Sequence, residues 1–399
     1  MDNDKAARLL VLPWSPDLPG GVSVVVRNLT KVWDAAQVPN TILVSSWSSR
    51  QAGREKSGAL SLKLAMFGKL SAAGLARSAI FAPVTLWRTL SLLKQRRIGT
   101  VYFHYANLDA FGIALLKRLK LFDGRLVLCF HGTDVRKPEG RIAAMLWNTV
   151  FGAADAITAC SNALALSVEE TFGLPSGRVD TVYNGVDTAV FAPASAGRDA
   201  VQELFGPSIR RYVVSVGSFI PRKGHVFLLE AFARAASAFP DAGLVVVGMD
   251  GRERAALESR VAELGLQHAV RFLVDLRPEQ VAQVVAGAAL CVQPSIAEPF
   301  GMAVIEAGAC GVCVAASAVG GHTELIADGL TGRLFEPGSA HAIEAVLLDL
   351  LGDEALRTRL AEAFHARVVS TFTWKACADL YGNAGRFGFD GNRDTIRQH

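Results

Sequence analysis

The sequence predicts an α/β protein made of two doubly wound parallel sheets. Short apolar runs rich in Val, Ile and Leu alternate with segments of helical length, the pattern of a parallel sheet covered on both faces. The alternation stops at a small, polar, Pro-punctuated stretch near residues 188 to 210 and then starts again. A chain of 399 residues is also too long for one typical core, which makes two domains the natural division.

In the first series RLLVLPW, TILVSSW, TVYFHY, RLVLCFHG, AITACS and VDTVYNG read as strands, each followed by Gly, Ser, Asn or Pro. VSVVVRNLTKVWDAA and AFGIALLKRLKLF between them have helical length. PASAGRDAVQELFGPSIRR suits a linker holding a short helix. RYVVSVGSF, AGLVVVGMD, VRFLVD, ALCVQPS and GVCVAAS then repeat the strand pattern. Ligands of such sheets sit outside the carboxyl ends of the strands, so the chemistry is expected in a cleft between the two domains.

Composition narrows the partners. Half the residues are apolar and a fifth charged, which suits a soluble globular chain and not a disordered or collagen-like one. A formal charge of +4 gives no support for nucleic-acid binding. The six cysteines lie in apolar blocks and read as buried thiols of a reducing compartment. Cys310 and Cys313 form a C-x-x-C, but no second pair completes a zinc set. The start, MDNDKAARLLVLPW, does not resemble a secretory signal, and no long uncharged apolar run reads as a membrane span. The expected location is cytoplasmic.

Four strand-to-helix junctions carry candidate chemistry. Gly20 and Gly21 precede a helix whose N-terminal N–H groups could meet an anion, although a plain tight turn would use the same residues. His131, with Gly132 and Asp134, follows the strand RLVLCF, at the position a substrate would occupy. Arg222 and Lys223 stand between a strand and a helix, where Arg can bind a phosphate in bidentate fashion and Lys acts as a point charge; a solvated surface pair would read the same way. In EPFGMAVIEAGACG, Glu298 lies in a loop and Glu306 a turn and a half inside the following helix. Glu298 and the N–H groups around Phe300, Gly301 and Met302 would face a ligand. Glu306, in an otherwise apolar helix, is costly to bury unless hydroxyls donate to it, as two hydroxyls of a sugar would.

RKG, EPFGMAVIEAGACG, GGHTELIADGLTGRLFEPG and YNGVDTAVFAP occur in an order that resembles the retaining nucleotide-sugar glycosyltransferases of the GT-B fold, a family that includes sucrose and lipid-acceptor enzymes. The motifs cover nearly all of the chain apart from residues 50 to 97 and the last dozen. One departure is Cys313, where the family usually has proline. The resemblance implies two Rossmann-like domains facing a cleft: an acceptor-binding domain over 1–190, a sugar-nucleotide domain over 191–371, and a crossover helix and tail over 372–399 that returns to the first domain. It implies that Arg222 and Lys223, with Gly20 and Gly21, hold the donor diphosphate. Glu306 would bind the ribose. Glu298, Phe300, Gly301 and Met302 would hold the donor sugar, and His131 would stand on the acceptor side near the reacting centre. No cofactor and no metal is implied; the lone D-x-D, Asp2 to Asp4, is terminal and follows no strand. Retention is implied by the resemblance alone, with Glu298 positioning sugar hydroxyls more readily than acting as nucleophile.

From Lys56 to Leu108 there is no acidic residue, while Lys63, Lys69, Arg77 and Arg88 recur among Leu, Phe, Met and Trp. Basic residues among large apolar ones suit an anionic membrane surface, and a core helix pair with a solvated basic face is the other reading. Pro83 interrupts the periodicity. With the fold, this points to a lipid-linked saccharide acceptor, such as a polyprenyl-diphosphate-linked one of bacterial surface or exopolysaccharide assembly, and to a peripheral place on the inner face of the cell membrane. A soluble acceptor, a sugar-nucleotide epimerase of the same fold and a non-catalytic sugar-nucleotide binder are the alternatives. A nicotinamide oxidoreductase is disfavoured because no G-x-G-x-x-G follows a strand.

Overall fold

The computed structural model describes residues 6–45, 59–62, 64, 72–193 and 203–385. The chain divides into two compact units, Met1–Tyr183 with Trp374–His399, and Asn184–Thr373. The division expected from sequence set the boundaries at 190 and 371.

The first unit holds a parallel sheet of seven described strands: β1 (Ala7–Leu12), β2 (Asn40–Val44), β3 (Leu60–Ser61), β4 (Ile98–His104), β5 (Arg125–Phe130), β6 (Ala156–Ala159) and β7 (Asp180–Thr181). Their order is β3-β2-β1-β4-β5-β6-β7. The order reverses between β1 and β4, where Leu9 pairs with Val101 and Val11 with Phe103. Buried apolar side chains fill β1, β4 and β5 almost continuously, as strands covered on both faces require. Helix Trp374–Asn383 belongs to this unit and lays Tyr381 against Tyr102, ring centroids 5.8 Å apart. The last described helix thus belongs to the first domain, as expected.

The second unit repeats the pattern with β8 (Arg211–Val216), β9 (Ala242–Gly248), β10 (Val270–Val274), β11 (Leu290–Gln293), β12 (Val314–Ser317) and β13 (Arg333–Phe335), in the order β10-β9-β8-β11-β12-β13. All pairings are parallel, and the reversal falls between β8 and β11. Backbone pairing between β8 and β11 covers only Leu290 with Val213 and Cys291 with Val214, so the two strands part toward their carboxyl ends. That parting is the crevice in which a doubly wound sheet binds ligands.

Two packing details fix the loop that rims this crevice. Helix Met302–Ala309 sits against helix Glu354–Thr371 through Gly308, where a Cβ would lie 2.6 Å from the ring of buried Phe364. His365 Nδ1 donates to the Gly308 carbonyl at 3.0 Å. In the first unit, helix Ala72–Gln95 runs through Pro83. Pro83 is exposed, and water can satisfy the carbonyl that loses its N–H partner.

Candidate active site

In the second unit the switch point gathers the predicted residues. After β8 the chain makes the tight turn Pro221–Lys223, and Gly224, at φ 66°, leads into helix His225–Ala235. A Cβ on Gly224 would stand 2.1 Å from the Pro294 carbonyl oxygen, so only glycine lets the two loops meet. The Ile296 N–H donates to the Arg222 carbonyl at 2.8 Å and ties them together. Buried His225 supports this turn from below: its Nε2–H donates to the Gly217 carbonyl at 3.2 Å. Arg222 and Lys223 are thereby presented, half-buried, at the carboxyl end of β8.

Lys223 Nζ donates to Glu298 Oε2 at 2.6 Å, across the crevice from the loop after β11. Ser295 Oγ donates to the same oxygen at 3.2 Å. Burial alone would raise the Glu298 carboxyl, but Lys223, His322 and Arg222 more than offset it and hold it below the ordinary value. Glu298 is therefore an ion-paired carboxylate. Gly301, at φ 115°, caps helix Met302–Ala309 without a side-chain hydrogen bond, and a Cβ there would strike the ring of His322 at 2.8 Å. The helix begins at Met302, so its first N–H groups have no intrahelical acceptor.

Glu306 lies inside that helix, and burial pushes its carboxyl up to about 7, with Lys223 pulling the other way. The residue keeps part of its surface exposed. A carboxylic acid poised near neutrality in an apolar helix is a ready acceptor for hydroxyl donors.

In the first unit Gly20, at φ 145°, caps helix Gly21–Ala35, and a Cβ at Gly20 or Gly21 would meet nothing within 4 Å. Packing within the chain does not demand glycine at 21, and the space is open to a ligand. His131 follows β5. Asp134 accepts from the His131 N–H with both oxygens at 3.0 Å and from the Gly132 N–H at 2.7 Å, which fixes the turn. Burial pushes the Asp134 carboxyl up to about 6 against those backbone hydrogen bonds. Burial also lowers His131 to about 4, so the imidazole is neutral across the physiological range. Its Nε2 lies 3.1 Å from Nδ1 of His104, the last residue of β4.

The chain matches two family models in succession: Glycosyltransferase Family 4 over residues 19–190 and Glycosyl transferases group 1 over residues 200–367. Alpha-maltose-1-phosphate synthase of Mycobacterium tuberculosis is 31% identical over 281 residues, 65% of this chain and 72% of that one. The chain belongs to the GT-B glycosyltransferases. The GDP-mannose-dependent alpha-(1-6)-phosphatidylinositol monomannoside mannosyltransferase of Mycolicibacterium smegmatis is 28% identical over 73% of this chain and 78% of its own. The D-inositol 3-phosphate glycosyltransferase of the same organism is 32% identical, but the match spans only 55% of its length. Sucrose-phosphate synthase from Thermosynechococcus elongatus shares the fold at a TM-score of 0.75 and 22% identity, covering 95% of this chain and 98% of that one. Anabaena HepE, solved in complex with UDP and glucose, does so at 0.73 and 19% over the same shares. The Family 4 match runs through residues 50 to 97, which the sequence motifs left outside the resemblance.

Within this glycosyltransferase the second unit brings Arg222, Lys223 and Glu298 together beside Phe300, Gly301 and Met302, while Gly20, Gly21 and His131 stand on the first. Lys63 and Lys69 lie outside the described residues, as do Asp2 and Asp4. Arg77 falls within helix Ala72–Gln95, and Arg88 on the same helix is exposed. Sequence reading missed His104, Ser295 and His322. Only His322 stood in a quoted motif, GGHTEL. All six cysteines are buried and free, and no group of His, Cys, Asp and Glu among the described residues is arranged to hold a metal. No described helix is long and apolar enough to cross a membrane.

The ion pair makes a stability prediction. Replacing Lys223 by Met leaves a buried carboxylate without its partner, at a cost of about 3–5 kcal/mol near neutral pH. Because the Glu298 pKa is depressed, its contribution is complete above the unfolded value of 4.5 and is lost as pH falls through the lower folded value. Thermal midpoints of wild type and Lys223→Met should therefore differ most near neutrality and converge on acidification below about pH 4.5.

Proposed function

We propose that this glycosyltransferase moves a hexose, with retention at the anomeric carbon, from a nucleoside diphosphate to a saccharide carried on an anionic lipid at the inner face of the cell membrane. The acceptor class we favour is a polyprenyl-diphosphate-linked saccharide of bacterial surface or exopolysaccharide assembly. The observation that carries the reading is the Lys223–Glu298 pair with Arg222 beside it, at the switch point of the second sheet.

Breaking the anomeric C–O bond leaves its electron pair on the diphosphate, and two fixed cations meet that charge where it develops. Glu298 holds the Lys223 ammonium at the end of its loop, and a diphosphate would share it. In this reading Gly20 and Gly21 present helix N-terminal N–H groups to the donor diphosphate, and the reaction requires no divalent ion. Glu298 and the N–H groups at Phe300, Gly301 and Met302 orient the sugar hydroxyls. Glu298 Oε2 is engaged by Lys223 and Ser295, which suits a carboxylate that positions groups, and in this reading the acceptor attacks on the leaving-group face. Glu306 accepts the ribose hydroxyls, and His131 stands on the acceptor side.

The lipid half of the reading is supported by helix Ala72–Gln95. Ile80, Phe81, Val84 and Trp87 are 72%, 59%, 50% and 67% exposed, and with exposed Arg88 they form one face at helical spacing, whereas Thr89 and Leu93 are buried on the opposite face. Exposed Lys94, Arg96 and Arg97 continue the chain beyond it. An apolar stripe flanked by cations fits an anionic lipid surface, each cation near the surface contributing about 1 kcal/mol. The phosphatidylinositol monomannoside acceptor in the name of the mycolicibacterial relative agrees with this choice.

The donor test is thermal unfolding against UDP, GDP and ADP. One of them at about a hundred times its Kd should raise stability by about 2.7 kcal/mol. Failure of all three would overturn the donor reading. Because Glu306 is protonated below about 7 and hydroxyls donate better to the ionised form, affinity should rise with pH up to about 7 and level off above it. Calorimetry near pH 6 should show proton release on binding that is smaller in Glu306→Gln, the difference excluding the ligand's own phosphate titration.

The lipid test is sedimentation with vesicles containing phosphatidylglycerol. Wild type should co-sediment at low salt, and Trp87→Ser with Phe81→Ser should weaken this at least several-fold, since each buried aromatic contributes about 1.5–3 kcal/mol. Unchanged sedimentation would contradict the docking face.

A further inference from the structure

We propose that His104 is a positioning residue that fixes His131 as a neutral N–H donor. The Nδ1–H of His104 donates to Nε2 of His131, and His131 therefore carries its own proton on Nδ1. The proposal rests on the reading of His131 as a substrate-side group, and it specifies what that group does.

The geometry carries it. His104 is fully buried at the end of β4, its Nδ1 is 3.1 Å from His131 Nε2, and the two rings lie 27° from parallel. Two imidazole nitrogens this close share one proton, so either His104 or His131 donates. His104 Nε2 decides which. It is buried and has no hydrogen-bond partner among the described residues, with the rings of Tyr102 and Tyr381 packed beside it. If His131 donated, the neutral His104 would carry its proton on Nε2, a buried N–H with no acceptor. If His104 donates, Nε2 is a bare lone pair, and a buried acceptor left unpaired is tolerated better than an orphaned N–H. Protonating both rings is opposed by burial, which lowers His104 well below the ordinary value and His131 to about 4.

The groups facing the pair do not offer a different assignment. Tyr102 comes from β4 itself and Tyr381 from helix Trp374–Asn383. Cys129, at the end of β5, is held in its thiol form by burial, which pushes it up to about 12. Asp134 spends both oxygens on backbone N–H groups of His131 and Gly132, so it fixes the turn and leaves the His131 ring to His104. Tyr105 hydroxyl pairs with Thr133 Oγ1 at 3.2 Å.

The consequence is chemical. With Nε2 accepting from His104 and Nδ1 protonated, His131 has no lone pair free to take a proton. It can donate to a substrate oxygen, and it cannot serve as a general base while the pair holds.

The test is a long-range proton–nitrogen correlation spectrum of the full chain labelled at histidine, with His131→Phe for assignment. Near pH 7, His131 should show a protonated Nδ1 and an unprotonated Nε2, unchanged on acidification to about pH 5. His104→Phe keeps an aromatic ring against Tyr381 but removes the N–H. His131 should then mix tautomers, because the bond that selects one neutral form is gone. His104→Asn places an amide where Nδ1 stood and should restore the single tautomer. A wild-type His131 protonated on Nε2, or a tautomer indifferent to His104→Phe, would overturn the proposal. If His104→Phe does not fold, the wild-type and His104→Asn spectra still decide. No substrate enters this measurement, so it succeeds or fails apart from the donor reading; loss of the substrate-side role would appear instead as His131→Phe with unaltered acceptor kcat/KM.

Discussion

The second domain's site depends on one ion pair. Lys223 and Glu298 meet at 2.6 Å with both side chains mostly buried, 17% and 11% exposed. Removing two charges from water is expensive, and the pair repays that cost only because its geometry is tight and Ser295 satisfies the carboxylate further. Much of the surrounding architecture serves to bring these two loops within reach. Gly224 permits the contact with Pro294, the Ile296 to Arg222 hydrogen bond locks it, and Gly301 makes room for His322. A charged pair held this way keeps an ammonium in a crevice between β8 and β11, where a sheet of this topology receives phosphates.

The first domain applies another constraint to another end. Its switch point collects a pair of neutral imidazoles and a carboxyl whose oxygens are taken by backbone donors. The contrast suits a division of labour in which cations meet the leaving diphosphate and uncharged donors meet a saccharide. The helix Trp374–Asn383 contributes to this second environment, since Tyr381 helps close His104 away from water. The last described helix is therefore part of what sets the chemistry of His131.

The repeated strand-helix texture was readable because strands buried on both faces must be nearly all apolar, and eleven of the strands stood out as Val-, Ile- or Leu-rich blocks or their ends. The strands Leu60–Ser61 and Arg333–Phe335 were not, being two and three residues long. Arg222, Lys223, Glu298 and Glu306 could be picked out as polar residues at junctions or in apolar surroundings. Their partnership could not, because Lys223 and Glu298 are 75 residues apart and only the strand order brings them together. His104 was hidden for a related reason. It sits in the run TVYFHY as one more strand residue, and nothing local marks its contact with a histidine 27 positions on.

The central claim is that Lys223 and Arg222 hold a diphosphate at the second switch point. It is tested most directly by calorimetric affinities of the nucleoside monophosphate and diphosphate of the preferred base, in wild type and in Lys223→Met. A charge-assisted hydrogen bond contributes about 1.5–3 kcal/mol, so the diphosphate should bind at least about tenfold more tightly in the wild type and lose most of that advantage in the variant. Equal affinities in the wild type, or a diphosphate advantage that survives the substitution, would contradict it.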